Sequence, residues 1–448
     1  MNGQQNSTVA AIPHPPTYPY NWREIINGSL EENFVSIALG SLNELIKPDF
    51  IPSLEHIQLL LHLAINPSTH QITPELPLSL LFKLLSCHRS SSLSQALPIH
   101  PSSSDQTVRE EIPAWLQWNY KRSELHKTVW KSMKRCSEQG IWALLWDQNP
   151  ETKRADSRRR ERGQVGAHED ENDSGDDDGS ANHMQLSSNG WSLLEWLVAF
   201  WEKDKCVDQN QAGSGSGHSL LFLKQLPRPM DRTGQLPRND ASIPLSILKQ
   251  ACDDSLSKSA ESREWRISVA VRLLSLVILT TNGKEPPFHP ASLSTPLLHT
   301  MRALPLIDVQ TILRYLDVLG HWRIVSHTLT LLVEDVAGGS VCTLRDERKN
   351  IHFEEDFNHR LNRPTSGYLM KVLLLSSLPR ADNQGKMLSF KVALVRIIKA
   401  HQSAEEQDKI RRRIRDDSDW WGRFNKVLEQ ETKGSKAILT GCMESLLS

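Results

Sequence analysis

Apolar residues recur at helical spacing along much of this chain, and the stretches between them are polar, charged or rich in proline. Residues 1–20 carry Pro13, Pro15, Pro16 and Pro19 among polar neighbours, the composition of a disordered tail. The segment EENFVSIALGSLNELI then sets Phe34, Ile37, Ala38, Leu42, Leu45 and Ile46 near one stripe, and Pro48 stops it. A second helix carries Leu54, Ile57, Leu60, Leu61 and Ala64 and ends at Pro67; a third runs through Leu78, Leu81, Phe82 and Leu85. Connections this short make the helices antiparallel neighbours. The serine-rich stretch 89–108, with Pro98 and Pro101, reads as a loop. A tryptophan-rich helical pair follows over about 112–148, with Trp115, Trp118, Trp130, Trp142 and Trp146, and Pro113 suits its first turn.

The period vanishes over 150–190, where KRADSRRRER precedes EDENDSGDDD, so this segment is expected to be a disordered charged linker. Beyond it, WSLLEWLVAFW at 191–201 is apolar nearly all round and should be buried on most sides. The GSGSG run at 213–217 and the proline-bearing stretch 227–242 read as irregular. Trp265–Thr280 is the most hydrophobic helix, and Leu297–Ala303 is a short one. Asp308–Leu319 has the cleanest pattern: Asp308 fits an N-cap, Val309, Ile312, Leu313, Leu316 and Leu319 form the stripe, and Gly320 fits the position after the C-cap. Further helices are expected over about 322–335, 367–378 and 388–400.

VILTT and SVCTL have strand-like composition, but neither has a partner run with hairpin chemistry beside it. The expected fold class is therefore all-α. Successive helix pairs point to irregular helical-repeat blocks, a HEAT-like α-solenoid with disordered linkers, although no fixed-period consensus is present. The expected organisation is a tail over 1–20, an N-terminal helical block over 21–149, the linker 150–190, and a C-terminal helical block over 191–448 with internal loops at about 203–242 and 338–366.

Composition narrows the function classes. Apolar residues make up 38% of the chain, below the roughly 45–50% of a uniformly globular protein, so part of it should lie outside any core. The formal net charge of −1 removes a whole-chain electrostatic case for nucleic acid and leaves only local patches to argue one. The six cysteines are widely spaced without a CxxC pair, neither a disulfide framework nor a zinc site. The N-terminal residues lack the basic and apolar regions of a secretory signal, and Arg272 interrupts the most apolar run, Val269–Thr281. A soluble, intracellular protein without membrane contact is expected.

Motifs for chemistry are missing. The sequence has no GxxxxGK[ST], no GxSxG and no HExxH, and His218 stands where the dinucleotide fingerprint after Gly213 requires a third glycine. HFEEDFNH, His352 to His359, gathers histidines and carboxylates, but Glu355 and Asp356 cannot both turn to the face of the histidines on a helix. His56 and His62 differ by about 600° of helical rotation and face different ways. No catalytic, cofactor-binding or metal-ligating residue is therefore assigned, and no small-molecule substrate or cofactor is expected.

Three features suggest partners. Trp118, Lys121, Arg122, Lys127, Trp130, Lys131, Lys134 and Arg135 interleave aromatics with cations, a pattern that suits nucleic acid, an acidic protein, or simply a core tryptophan stripe with a basic solvated face. Trp420 and Trp421 follow KIRRRIR at 409–415; adjacent helical positions point about 100° apart, which leaves one indole able to meet a partner. Lys153, Arg154, Arg158, Arg159, Arg160 and Arg162 fall within ten residues, the kind of cluster that nuclear import receptors read. Ser174, with acidic residues at 176–178, resembles the target of an acidophilic kinase. The expectation is a non-enzymatic nuclear helical scaffold or adaptor subunit of a larger complex, in ribosome assembly (ribosome biogenesis) or genome maintenance (DNA repair). The alternative is a nucleic-acid-binding module using 112–148 or 409–415.

Overall fold

The computed structural model describes residues 19–67, 72–101, 123–146, 185–211, 218–228, 240–253, 259–281, 288, 290–337, 372–373, 381–401, 404–417, 419–429 and 433–447. They are mostly helical, with no strand among them. The chain divides into two compact units, Met1–Pro237 and Arg238–Ser448.

The first unit contains α1 (Tyr20–Glu31), α2 (Val35–Leu45), α3 (Leu54–Ile65), α4 (Glu75–Cys87), α5 (Ser90–Leu93), a 3-10 turn (Ser94–Ala96), α6 (Glu124–Gln139), α7 (Trp142–Leu145), α8 (Ser188–Gln211) and α9 (Leu220–Leu223). Its centre is α3, which touches α4, α6, α7 and α8, and whose residues His56 to Ile65 are all buried. The leucine stripe expected of α3 is therefore only part of a helix enclosed on every side. α8 is buried through Trp191, Leu194, Trp196, Phe200 and Trp201, as its all-round apolar sequence requires. The Trp142 ring centroid lies 5.7 Å from that of Trp201, which lies 5.1 Å from that of Phe222. Trp142 Nε1 donates to the Gln225 carbonyl at 2.6 Å, tying α7 to the end of α9.

Several expectations change here. α8 starts at Ser188 and Leu186 bridges to Trp146, so the end of the expected 150–190 linker is ordered. Because α8 packs on α3, α4 and α7, the compact unit extends well past the expected block 21–149. α8 also runs on into the expected loop 203–242, because its polar residues serve neighbouring helix ends. Lys203 Nζ donates to the carbonyls of Leu85 and, at 2.8 Å, His88, beyond the end of α4. Asp204 accepts the Ser219 hydroxyl at 2.7 Å and the Leu221 N–H at 3.2 Å at the start of α9.

In α2 the buried stripe is Val35, Ala38, Leu39, Leu42 and the following Ile46, whereas Phe34 and Ile37 are 53% and 59% exposed. Both phases are apolar in the sequence; Phe34 is the N-cap and not a helical position, and packing against α1 and α4 selects the other stripe. Part of the expected serine loop is α5 and the 3-10 turn, where the Ser94 hydroxyl bonds the Ser91 carbonyl at 2.8 Å.

The second unit contains α10 (Ser242–Ala251), α11 (Ala260–Leu279), α12 (Pro290–Arg302), α13 (Leu306–Val318), α14 (Trp322–Val336), α15 (Ala381–His401), α16 (Ala404–Asp416), α17 (Trp420–Glu429) and α18 (Lys433–Leu447). Successive helices pair, α10 with α11 and α13 with α14, while α15 packs against both α14 and α18. VILTT forms the end of α11 and the turn after it; SVCTL lies outside the described residues. α12 starts before the expected Leu297 and holds Pro296 in its interior.

α13 bears out the expected stripe at Val309, Ile312, Leu313 and Leu316, but Leu319, its C-cap, is 43% exposed. Its end is a Schellman turn: the Gly320 N–H donates to the Asp317 carbonyl and the His321 N–H to the Leu316 carbonyl, each at 2.9 Å, with Gly320 at φ +86°. Asp308 is not the N-cap; Pro305 is, and Asp308 lies in the first turn of α13. There its buried carboxylate takes Arg263 at 2.6 and 2.7 Å through its two oxygens. The same guanidinium nitrogen donates to the Cys252 carbonyl at 3.2 Å, so one arginine joins α10, α11 and α13.

Candidate functional site

The basic face expected around the tryptophan-rich segment is partly assembled on α6. Ser123 is its N-cap, accepting the His126 N–H at 3.3 Å, and Leu125, Val129, Met133 and Cys136 are buried. Lys127, Lys131 and Lys134 stand exposed at i, i+4 and i+7 on the opposite side. Trp130 is half-buried, with the Lys134 ammonium 5.3 Å from its ring centroid, and Lys127 pairs with Glu124. Arg135 is half-buried on the flank. Trp118, Lys121 and Arg122 lie outside the described residues, as do the arginine cluster 153–162, Ser174 and the segment 352–359.

The second basic run sits on α16, where Ile410 and Ile414 are buried and Arg412 and Arg415 exposed. Trp420 is buried on α17 and stacks on Phe424 at 4.8 Å between centroids; Trp421 meets Trp420 edge-on at 5.3 Å and is half-buried. The two indoles thus take different roles: Trp420 belongs to the core and Trp421 to its margin.

The histidines of α3 are structural. His56 is fully buried and donates from Nε2 to the Asn27 side-chain carbonyl at 3.0 Å. Asn27 donates in turn to Glu55 at 3.3 Å, and Glu55 receives Arg23 at 2.6 and 2.8 Å. Burial lowers the His56 pKa to about 4, holding the ring neutral. His62 Nδ1 meets the Ser132 hydroxyl at 2.9 Å, linking α3 to α6. Among the described residues no three His, Cys, Asp or Glu side chains gather as a metal site, and no helix is long and apolar enough to cross a membrane.

The feature the sequence reading missed is a groove of about 530 Å³ in the second unit, between α13, α15 and the edge of α18. Leu313, Leu329, Leu388, Val392 and Ile397 line its floor, while Ile307 and Ile438 form apolar lips, 63% and 54% exposed. Arg314 and Arg396 stand exposed on its walls, and among the described residues neither guanidinium has a hydrogen-bond or ion-pair partner. Asp317, also lining it, is already paired with His401 at 2.8 Å. A signal for this face was present: Ile307, Thr311, Arg314 and Val318 make a second stripe at helical spacing, opposite the buried one. None of its members is among the positions that marked α13 as amphipathic. No known protein family matches this chain, and neither does any curated protein or solved structure compared with it.

Proposed function

We propose that this chain is a non-enzymatic helical adaptor, a subunit of a nuclear complex of the ribosome-assembly or genome-maintenance kind, built from packed helix pairs in the manner of an irregular HEAT-like solenoid. The observation that carries the reading is the open groove of the second unit, an apolar floor with exposed apolar lips. A folded helical unit that keeps such a trough facing solvent has a surface suited to a partner segment. The nuclear address rests on Lys153, Arg154, Arg158, Arg159, Arg160 and Arg162. Replacing Arg158, Arg159 and Arg160 by alanine should move a fluorescent fusion towards the cytoplasm; a wild-type fusion that never enters the nucleus overturns that part. The adaptor role is tested by the native mass of the protein in cell extract: co-elution with other proteins well above 50.8 kDa is expected, and elution alone at its own mass overturns it.

A second reading, nucleic-acid binding, is favoured by the exposed Lys127, Lys131 and Lys134 beside Trp130. In that case affinity for single-stranded RNA or DNA should fall steeply with salt, and Lys127→Gln, Lys131→Gln and Lys134→Gln together should flatten the dependence by about two to three counterions. Binding that ignores salt argues against it.

A further inference from the structure

We infer that the groove between α13, α15 and α18 is the docking site for an acidic amphipathic helix of about two turns from a different protein, an inference that rests on the adaptor reading above. The length comes from the walls. On α13 the apolar lip Ile307 and the rim cation Arg314 both line the groove, seven residues or about 10 Å apart along the helix. Two turns of a partner helix span that distance and present apolar side chains at i, i+3 or i+4, and i+7 to the floor.

The sign of the charge comes from Arg314 and Arg396. Both guanidiniums stand at the groove with no partner among the described residues, and the one acidic side chain among the described lining residues, Asp317, is already engaged by His401. A helix with Asp or Glu flanking its apolar stripe would pair with both arginines at the rim, while a basic helix would meet like charge on both walls. Other occupants fit less well. The lips are more than half exposed, so a small molecule would lack the enclosure that such ligands usually have. A nucleic acid would leave an aliphatic floor unfilled and find no exposed ring to stack on among the described lining residues, where Phe390 is buried.

The test uses the full chain in its own cells, with Gln310, exposed in the groove wall, replaced by the photo-crosslinker p-benzoylphenylalanine. After irradiation, the adduct is sequenced by mass spectrometry. The expected adduct is a peptide of another protein with carboxylates flanking apolar residues at helical spacing. Introducing Arg314→Glu and Arg396→Glu together should lower its yield by about tenfold, with an unchanged melting temperature because both side chains are exposed. An adduct with a second copy of this chain, with nucleic acid or with a basic or uncharged peptide overturns the inference. So does no adduct, or a yield indifferent to charge reversal. Native mass separates the two levels: a wild-type protein that runs alone sinks the adaptor reading. A large complex formed through some other surface, with the groove empty, sinks only this inference.

Discussion

His56 illustrates how a single side chain in this protein is governed by burial. Its neutral ring is held at α3 by one hydrogen bond to Asn27, and its pKa stands near 4 in the folded state against about 6.5 in an unfolded chain. Between those values the unfolded chain carries a proton that the native state refuses, so stability is full above pH 6.5 and falls as the pH drops towards 4. With His56 fully buried, the loss from this group is about 3 kcal/mol. Denaturant melts at pH 7, 5.5 and 4 should show the decline, and His56→Gln, which keeps a donor for Asn27, should flatten it. A wild-type profile without slope in that window would contradict the assignment. Glu55 acts at lower pH. Burial works to raise its pKa, but the Arg23 hydrogen bond leads the interactions that outweigh burial and leave it lowered. Its contribution is present above its ordinary range and is lost only as the pH falls below about 4.

At the scale of the element, α13 shows two faces with different jobs. Leu313→Asp puts an unpaired charge into the buried stripe and should cost the second unit about 3 kcal/mol or more. Arg314→Asp, on the exposed groove face, should change its melting by less than about 0.5 kcal/mol. Equal losses would mean the phase is wrong. Glycines at two helix ends make a comparable pair. Gly320 ends α13 at φ +86° with nothing within 4 Å of an added Cβ, so Gly320→Ala should cost only the backbone conformation, about 1 kcal/mol. Gly190, in the first turn of α8, would place a Cβ 2.4 Å from the Leu145 carbonyl oxygen. Gly190→Ala must push α8 off the end of α7, and a loss of about 2–3 kcal/mol is expected. Thermal melts of both variants check the order, which a larger loss at Gly320 would reverse.

For the whole molecule, the decisive feature is that α8 completes the first unit although some forty residues separate it from α7. A fragment ending at residue 149 lacks Trp191, Trp196, Phe200 and Trp201 and leaves the faces of α3, α4 and α7 that meet α8 open to water. Each large aromatic contributes on the order of 3 kcal/mol when buried, so the four together contribute an amount comparable with a domain's usual margin of about 5–15 kcal/mol. Residues 19–237 expressed alone should melt cooperatively, and residues 19–149 should aggregate or bind hydrophobic dye. A well-folded shorter fragment would refute this account of the unit.

The all-α class was legible from the sequence because helical spacing is local. Val309, Ile312, Leu313 and Leu316 mark their helix and its buried face without outside help, and the tryptophan-dense 191–201 declares a helix buried all round. Gly320 declared the end of α13 for the same reason, since a left-handed turn depends on one residue type. Tertiary structure decided what local pattern leaves degenerate. In α2 two apolar stripes were available, and the neighbours chose the one without Phe34 and Ile37. Asp308 suited a cap by its type, but Arg263, 45 residues away, recruits its carboxylate instead. Lys203 and Asp204 read as a helix ending, yet they extend α8 because carbonyls of α4 and amides of α9 meet them there. The groove exists only where α13, α15 and α18 come together. Its apolar floor is visible in the sequence only as ordinary helices, and its opening towards solvent arises where segments up to 131 positions apart, at Ile307 and Ile438, are brought to one groove.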